Sequence, residues 1–305
     1  MASNLNTRRE FLAGIAAAAA AGRSGIALAQ DRMPQRTVPA TGETLPVIGL
    51  GSSKVVEGIA TAGRAPLAGV LRTLVSHGGK VVDTWPRNPD NDAVFGEVIS
   101  EPDLRDALFV TTKIDQVGAQ AGIDQFRLAQ QLYRRDTLDL TQIFSLTDLD
   151  VHWPNLKRWK AEGHTRYIGV TVAQYNLYEA LEDFLGRETP DFVQLNYSIT
   201  ERRAEERLLP MLQDRGIAVI VNRPFMNGAY FDRLEDRPLP EWSAAFGCET
   251  WAQFSLKYIL ANPAITCVLT ETSNPAHMAE NALTAFGDTP DAAARGRMRA
   301  FIDTV

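Results

Sequence analysis

Cysteine, histidine and net positive charge are all scarce in this 305-residue chain, which holds two cysteines, four histidines and a formal charge of −6. An acidic balance excludes a general binder of nucleic acid or of an anionic membrane, because either surface would repel it. No Cys/His spacing has the pattern of a metal site, so no metal is expected. Cys267 lies inside the apolar run Ile265 to Leu269 and reads as a small buried hydrophobe, while a disulfide to Cys248 is left open by the sequence. Beyond the N-terminus no apolar run is long enough to span a membrane. A Gly-x-Gly-x-x-Gly turn is also missing, since the first strand-like run ends in Leu50-Gly51-Ser52-Ser53. Apolar residues are plentiful at 45%, which excludes disorder and suffices for a full core.

The N-terminus has its own character. Asn6-Thr7-Arg8-Arg9-Glu10-Phe11-Leu12 leads into the alanine-rich run Ala13 to Ala21 and then Ala27-Leu28-Ala29. Paired arginines, a short weakly apolar segment and a small-x-small site predict a twin-arginine export signal over residues 1–29, cleaved after Ala29. Residues 30–305 then form the mature domain. The expected partner at this end is the twin-arginine export machinery, and the expected location is the periplasm or another exported compartment.

From there, strand-like runs alternate with helical periodicity to the C-terminus. The runs are 47–51, 80–83, 108–113, 138–146, 167–170, 192–195, 218–221 and 266–269. Between the first two, Leu67, Val70, Leu71, Leu74 and Val75 recur at the spacing of one helical face, and Gly78-Gly79 supplies a stop. Glu162-Gly163 and Arg215-Gly216 repeat that punctuation. Continuous apolar strands, each followed by a helix, bury both faces of a parallel sheet, and eight such units predict a (β/α)8 barrel of one domain. A doubly wound open sheet is the alternative. The stretch from Val38 to Leu45, with a turn at Thr41-Gly42, predicts a hairpin closing the barrel floor.

Barrel chemistry sits where strands end and loops lead into helices. Asp83 ends the second run and Lys113 the third, so both side chains are expected in the same mouth. An acid and an amine in that setting pair, since either alone bears a large desolvation penalty. The pair reads either as a structural ion pair or as an acid-base couple.

These residues carry a family resemblance. The pieces are Leu45-Pro46-Val47-Ile48-Gly49-Leu50-Gly51, Val82-Asp83-Thr84 with Gly96, Thr111-Thr112-Lys113, the run from Lys160 to Val170, Gln194-x-Asn196-Tyr197, and Pro275-x-His277-x-x-Glu280-Asn281. In this order and spacing they resemble the aldo-keto reductases along almost the whole mature chain. The resemblance implies a carbonyl reductase using NADP(H), with a catalytic tyrosine, histidine, lysine and aspartate. Asp83 and Lys113 match the last two. The tyrosine position is Asn88, whose amide releases no proton near neutral pH, and the histidine position is Phe144, which can only pack. For the cofactor the resemblance implies Thr171, Gln194, Thr272, Glu280 and Asn281. Glu271 and Asn274 occupy the segment where a cation for the 2′-phosphate is expected, and a carboxylate there repels phosphate.

Trp85, Asn88, Phe144 and Arg223 are the expected substrate contacts. Trp85, Phe144 and Phe225 would make the mouth apolar, which predicts a small, partly apolar ligand. Arg223, at a strand end beside Pro224, has the fork geometry to grip a carboxylate or phosphate, with an ion pair to Glu201 or Asp232 as the alternative. His152 is expected at the surface or at a helix cap, with Asp150 capping a helix that starts near Trp153-Pro154. His77 and His164 precede strands and are expected at the barrel floor. Two functions remain open: carbonyl reduction with NADP(H), or a barrel without hydride transfer that performs acid-base chemistry through Asp83 and Lys113 or simply binds a small molecule.

Overall fold

A strand buried on both faces needs apolar or β-branched residues at consecutive positions, and each of the eight runs meets that demand and becomes a strand. A computed structural model describes residues 32–234 and 237–305. The export signal expected over residues 1–29 lies outside the described residues. The barrel strands are β3 (Ile48–Gly51), β4 (Val81–Asp83), β5 (Phe109–Ile114), β6 (Leu138–Phe144), β7 (Thr165–Thr171), β8 (Phe192–Asn196), β9 (Ala218–Asn222) and β10 (Cys267–Thr270). They are parallel and close in the order β10-β3-β4-β5-β6-β7-β8-β9. That closure is the (β/α)8 barrel and excludes the open sheet.

The main helices between them are α1 (Ser53–Glu57), α2 (Ile59–Ala62), α3 (Ala65–Ser76), α4 (Pro89–Ile99), α5 (Ala119–Tyr133), α6 (Leu149–Ala161), α7 (Tyr178–Arg187), α8 (Leu208–Asp214), α9 (Ala229–Asp232), α10 (Trp251–Leu260), α11 (Pro275–Leu283) and α12 (Ala292–Ile302). In α3 the periodic face Leu67, Val70, Leu71 and Leu74 is fully buried, and the stop glycine Gly78 takes φ +86°. None of the described helices is long and apolar enough to cross a membrane.

Side chains alternate along each strand, so every second residue points into the barrel. Near the strand starts these inward positions are apolar: Val81, Phe109, Leu140, Tyr167, Phe192, Ile220 and Cys267 pack together as an inner core. Further along they turn polar, with Asp83, Thr111, Lys113, Gln142, Thr171 and Gln194, all buried. This switch along single strands converts a packed interior into a chemically equipped mouth.

The floor is closed by the antiparallel pair β1 (Gln35–Thr37) and β2 (Thr44–Pro46), joined through Gly42 at φ +79°. Val38 and Leu45 plug the inner core from below. Glu43 on the connecting turn accepts from the Tyr167 hydroxyl at 2.7 Å and from Lys80 Nζ at 3.2 Å, and pairs with Arg166, which also reaches Asp139 at 2.8 Å. Cys248 and Cys267 are both free and buried. Burial pushes the Cys248 thiol up to about 11, so neither it nor the more deeply buried Cys267 is a ready nucleophile.

Gly296 in α12 faces open space, since an added Cβ there meets no heavy atom within 4 Å. Gly296→Ala is expected to raise stability by about 0.5–1 kcal/mol through lost unfolded-state freedom. A higher midpoint in thermal unfolding checks it; an unchanged or lower midpoint would contradict an unstrained site.

Candidate active site

The polar ends of the inward stripes surround a cavity of about 310 Å³. Asp83, Trp85, Lys113, Phe144, Thr171, Gln194, Asn222, Arg223, Phe225, Phe231 and Glu271 are in its wall. This is the low end of the size range for small-molecule pockets.

Asp83 and Lys113 meet there. Register sets Asp83 opposite Thr111, and Lys113, two positions on from Thr111, shares its inward face. Lys113 Nζ donates to Asp83 Oδ2 at 2.5 Å, and Thr111 Oγ1 donates to Asp83 Oδ1 at 2.5 Å. Gln142 Nε2 adds a longer contact to the same carboxylate at 3.5 Å. Both ions are almost fully buried. Burial lowers the Lys113 pKa below its ordinary value, and the Asp83 charge and hydrogen bond partly offset that. The ammonium is therefore a stronger acid than an exposed lysine.

Trp85 lies over this ammonium, with Nζ 4.5 Å from its ring centroid. The indole is stacked on Phe144 at 5.3 Å and 23°, carries the Arg87 guanidinium at 4.2 Å, and donates from Nε1 to Asp115 at 3.2 Å. An aromatic face, which cannot release a proton, thus covers the charged end of Lys113. Among the described residues no tyrosine or histidine lines the cavity.

Continuing around the wall, Phe144, Thr171 and Gln194 occupy one level across three neighbouring strands. Thr171 Oγ1 donates to Gln194 Oε1 at 2.6 Å, which leaves the buried Gln194 Nε2 without a partner. Asn222 mirrors this: its Nδ2 donates to the Val172 carbonyl at 3.1 Å and its buried Oδ1 has no partner. Gln194 and Asn222 thus each bring to the cavity wall a buried amide atom, one donor and one acceptor, with no partner among the described residues. Arg223 anchors through Nη1 on the Ala173 carbonyl at 2.8 Å. Glu271 accepts from the Lys54 backbone N–H at 3.1 Å and lies 3.9 Å from Lys54 Nζ.

The structure thus gathers Asp83, Lys113, Trp85, Phe144, Arg223, Thr171 and Gln194 around one cavity. Asn88 is a correction. It is exposed and caps α4, its Oδ1 accepting from Asp90 and Asn91 N–H, and it does not line the cavity. Asn-Pro-Asp is a helix-start signature that was legible in the sequence. Thr272, Glu280 and Asn281 also stand outside the cavity wall. Thr272 Oγ1 accepts from Asn274 N–H at 3.0 Å, Glu280 accepts from Thr250 Oγ1, and Asn281 is buried. Asn274 caps α11 with its own side chain, so the Ala276 N–H is already bonded.

His152 is a second correction. It is fully buried, its Nε2 sits 2.7 Å from the Gln116 carbonyl, and its ring packs on Gly122. The helix begins at Leu149, with Pro154 inside it and Asp148 at the N-cap position. Asp150 is exposed and pairs with Arg187 at 3.5 Å rather than capping. Arg223 makes no ion pair with Glu201 or Asp232. Lys54, Phe231 and the unpartnered Asn222 oxygen were missed by sequence reasoning, because no local pattern reports which loops fold over the mouth. No group of three or more potential metal ligands is assembled among the described residues.

A nicotinamide carboxamide would need one donor and one acceptor, which Gln194 Nε2 and Asn222 Oδ1 have free, whereas the Glu271 carboxylate in the same wall would repel a phosphate placed beside it.

Comparison with known proteins adds an independent line. The uncharacterized oxidoreductase YqkF of Bacillus subtilis is 24% identical over 175 residues, 48% of this chain and 55% of the relative. L-galactose dehydrogenase of Arabidopsis thaliana is 27% identical over 146 residues, 42% of this chain and 44% of the relative. The chain spans about half the length of the curated relatives it matches. Among solved structures, an aldo-keto reductase from Klebsiella pneumoniae in complex with NADPH superimposes with TM-score 0.72 and 22% identity, covering 88% of this chain and 96% of that one. The holo form of an aldo-keto reductase from Bacillus halodurans gives TM-score 0.70 and 19% identity over 89% and 96%. These two likenesses speak for the fold. Residues 47–287 match the model of the Aldo/keto reductase family, and the chain belongs to that family.

Proposed function

We propose that this chain binds a nicotinamide dinucleotide across the barrel mouth and reduces a small, partly apolar carbonyl compound, with the Lys113 ammonium as proton donor. The observation that carries this reading is the unpartnered pair Gln194 Nε2 and Asn222 Oδ1, whose donor and acceptor match a carboxamide. A reduced nicotinamide supplies hydride to a carbonyl carbon. The chain's part is to deliver the proton. Lys113 gives it to the carbonyl oxygen and becomes a neutral amine beside Asp83, which Thr111 holds in place; solvent then restores the ammonium. Phe144, Phe225 and Trp85 make the wall around the reacting oxygen partly apolar.

The test is a fluorescence titration with NADPH and NADH, followed by turnover of short aldehydes. Because the donor must be protonated, kcat is expected to fall as pH rises through a Lys113 pKa that burial holds below 10.5, the ordinary lysine value. A rate indifferent to pH up to that value would remove Lys113 from this role.

A second reading is favoured by the indole over Lys113 and by Glu271 in the wall: a site without hydride transfer, serving acid-base isomerisation or elimination, or binding alone. Absence of nucleotide binding at millimolar concentration selects it. With residues 1–29 as an export signal, the folded chain would carry its nucleotide across the membrane, which requires a tight complex. N-terminal sequencing of the exported form, expected to begin at Gln30, checks the signal.

A further inference from the structure

The charges in the cavity wall do not cancel. Lys113 is matched by Asp83, and Lys54 by Glu271 at 3.9 Å. Arg223 forms no ion pair among the described residues, although it sits in the same wall beside Pro224, Phe225 and Phe231. Its Nη1 donates to the Ala173 carbonyl, and its buried Nε has no partner. The backbone is committed as well: Arg223 holds φ +54°, and Met226 and Asn227 in the same loop hold +51° and +57°. Side-chain residues in that region are uncommon and collect where a ligand is gripped.

We propose that Arg223 holds an oxyanion of the ligand at the barrel mouth, so that the carbonyl substrate is a short keto acid. The substrate class rests on the reductase reading above; the anion grip itself does not. A planar guanidinium with one edge fixed and another free presents parallel N–H groups to a carboxylate, and apolar neighbours strengthen the attraction. A nucleotide diphosphate offers the same kind of oxygens, so the two sources are separated by experiment.

Calorimetric titration of the full chain, with no nucleotide added, uses 2-oxobutanoate, its uncharged amide, and inorganic diphosphate. Arg223→Gln is expected to weaken 2-oxobutanoate binding by about tenfold or more and to leave the amide unchanged, with Arg223→Lys intermediate. Glu271→Gln, which removes a negative charge from the wall, is expected to tighten the keto acid by about threefold. Dependence on Arg223 for diphosphate alone keeps the oxyanion grip and assigns it to a nucleotide. Failure of the native chain to bind either anion, or unchanged binding of both by Arg223→Gln, overturns the proposal. If that variant does not fold, an unaltered affinity in Glu271→Gln overturns it instead. Keto-acid binding that survives without any NADPH binding sinks the reductase reading and leaves the grip standing.

Discussion

Replacing Lys113 with methionine is expected to lower stability by about 3–5 kcal/mol and to cut carbonyl reduction by about 10²–10⁴-fold. Methionine fills most of the same volume, so packing is not the main loss. What changes is Asp83, left as a buried carboxylate with the Thr111 hydroxyl and the 3.5 Å contact to Gln142 as its remaining side-chain partners. The double variant Asp83→Asn with Lys113→Met removes both charges and is expected to recover most of the stability but none of the turnover. Urea unfolding of the single and double variants decides the matter: equal destabilisation would show that the unpaired charge is not the cause. The pH dependence has a definite sign. Burial holds the folded pKa of Lys113 below the unfolded value, so between the two the unfolded chain binds more protons. Over that window the native protein therefore gains stability relative to Lys113→Met as pH rises, while turnover falls.

Gly96→Ala is expected to cost about 3 kcal/mol or more, a large effect for one added methyl. An ideal Cβ at Gly96 would stand 1.7 Å from the Leu132 carbonyl oxygen, and the next contact is the Leu132 carbonyl carbon at 2.7 Å. Both belong to the backbone of α5, so no side chain can swing aside and the helices α4 and α5 must separate. Phe95 and Tyr133, packed edge to face at 5.2 Å beside this contact, would lose their fit in the same movement. A drop in the urea midpoint checks this, with Gly296→Ala as the permissive control. A neutral Gly96→Ala would mean that the two helices do not approach so closely.

What the sequence reveals here follows from how local each cause is. The strands were legible because burial on both faces writes itself as consecutive apolar residues, and Val81-Val82-Asp83 or Ala218 to Val221 need no distant information. Asp83 and Lys113 were legible because a strand end fixes where a side chain points. Asn88 was misread because two local signals competed: its position relative to Asp83 suggested the mouth, while the proline and aspartate after it specified a cap. The burial of His152 is hard to see in the sequence because Pro154 imitates a helix start, although His152, Leu156 and Trp159 lie on one buried face. The indole over Lys113 was not legible at all. It depends on how the loop after β4 bends back, which Asp115 and Phe144 on other elements help decide.

The hairpin beneath the inner core carries a kinetic consequence. A barrel plugged by Val38 and Leu45 at one end has a single doorway, so whatever lies deeper must enter first and depart last. Under the proposed reduction, the two ligands are therefore expected to bind in a compulsory sequence, with a dead-end analogue of the outer partner trapping the inner one inside.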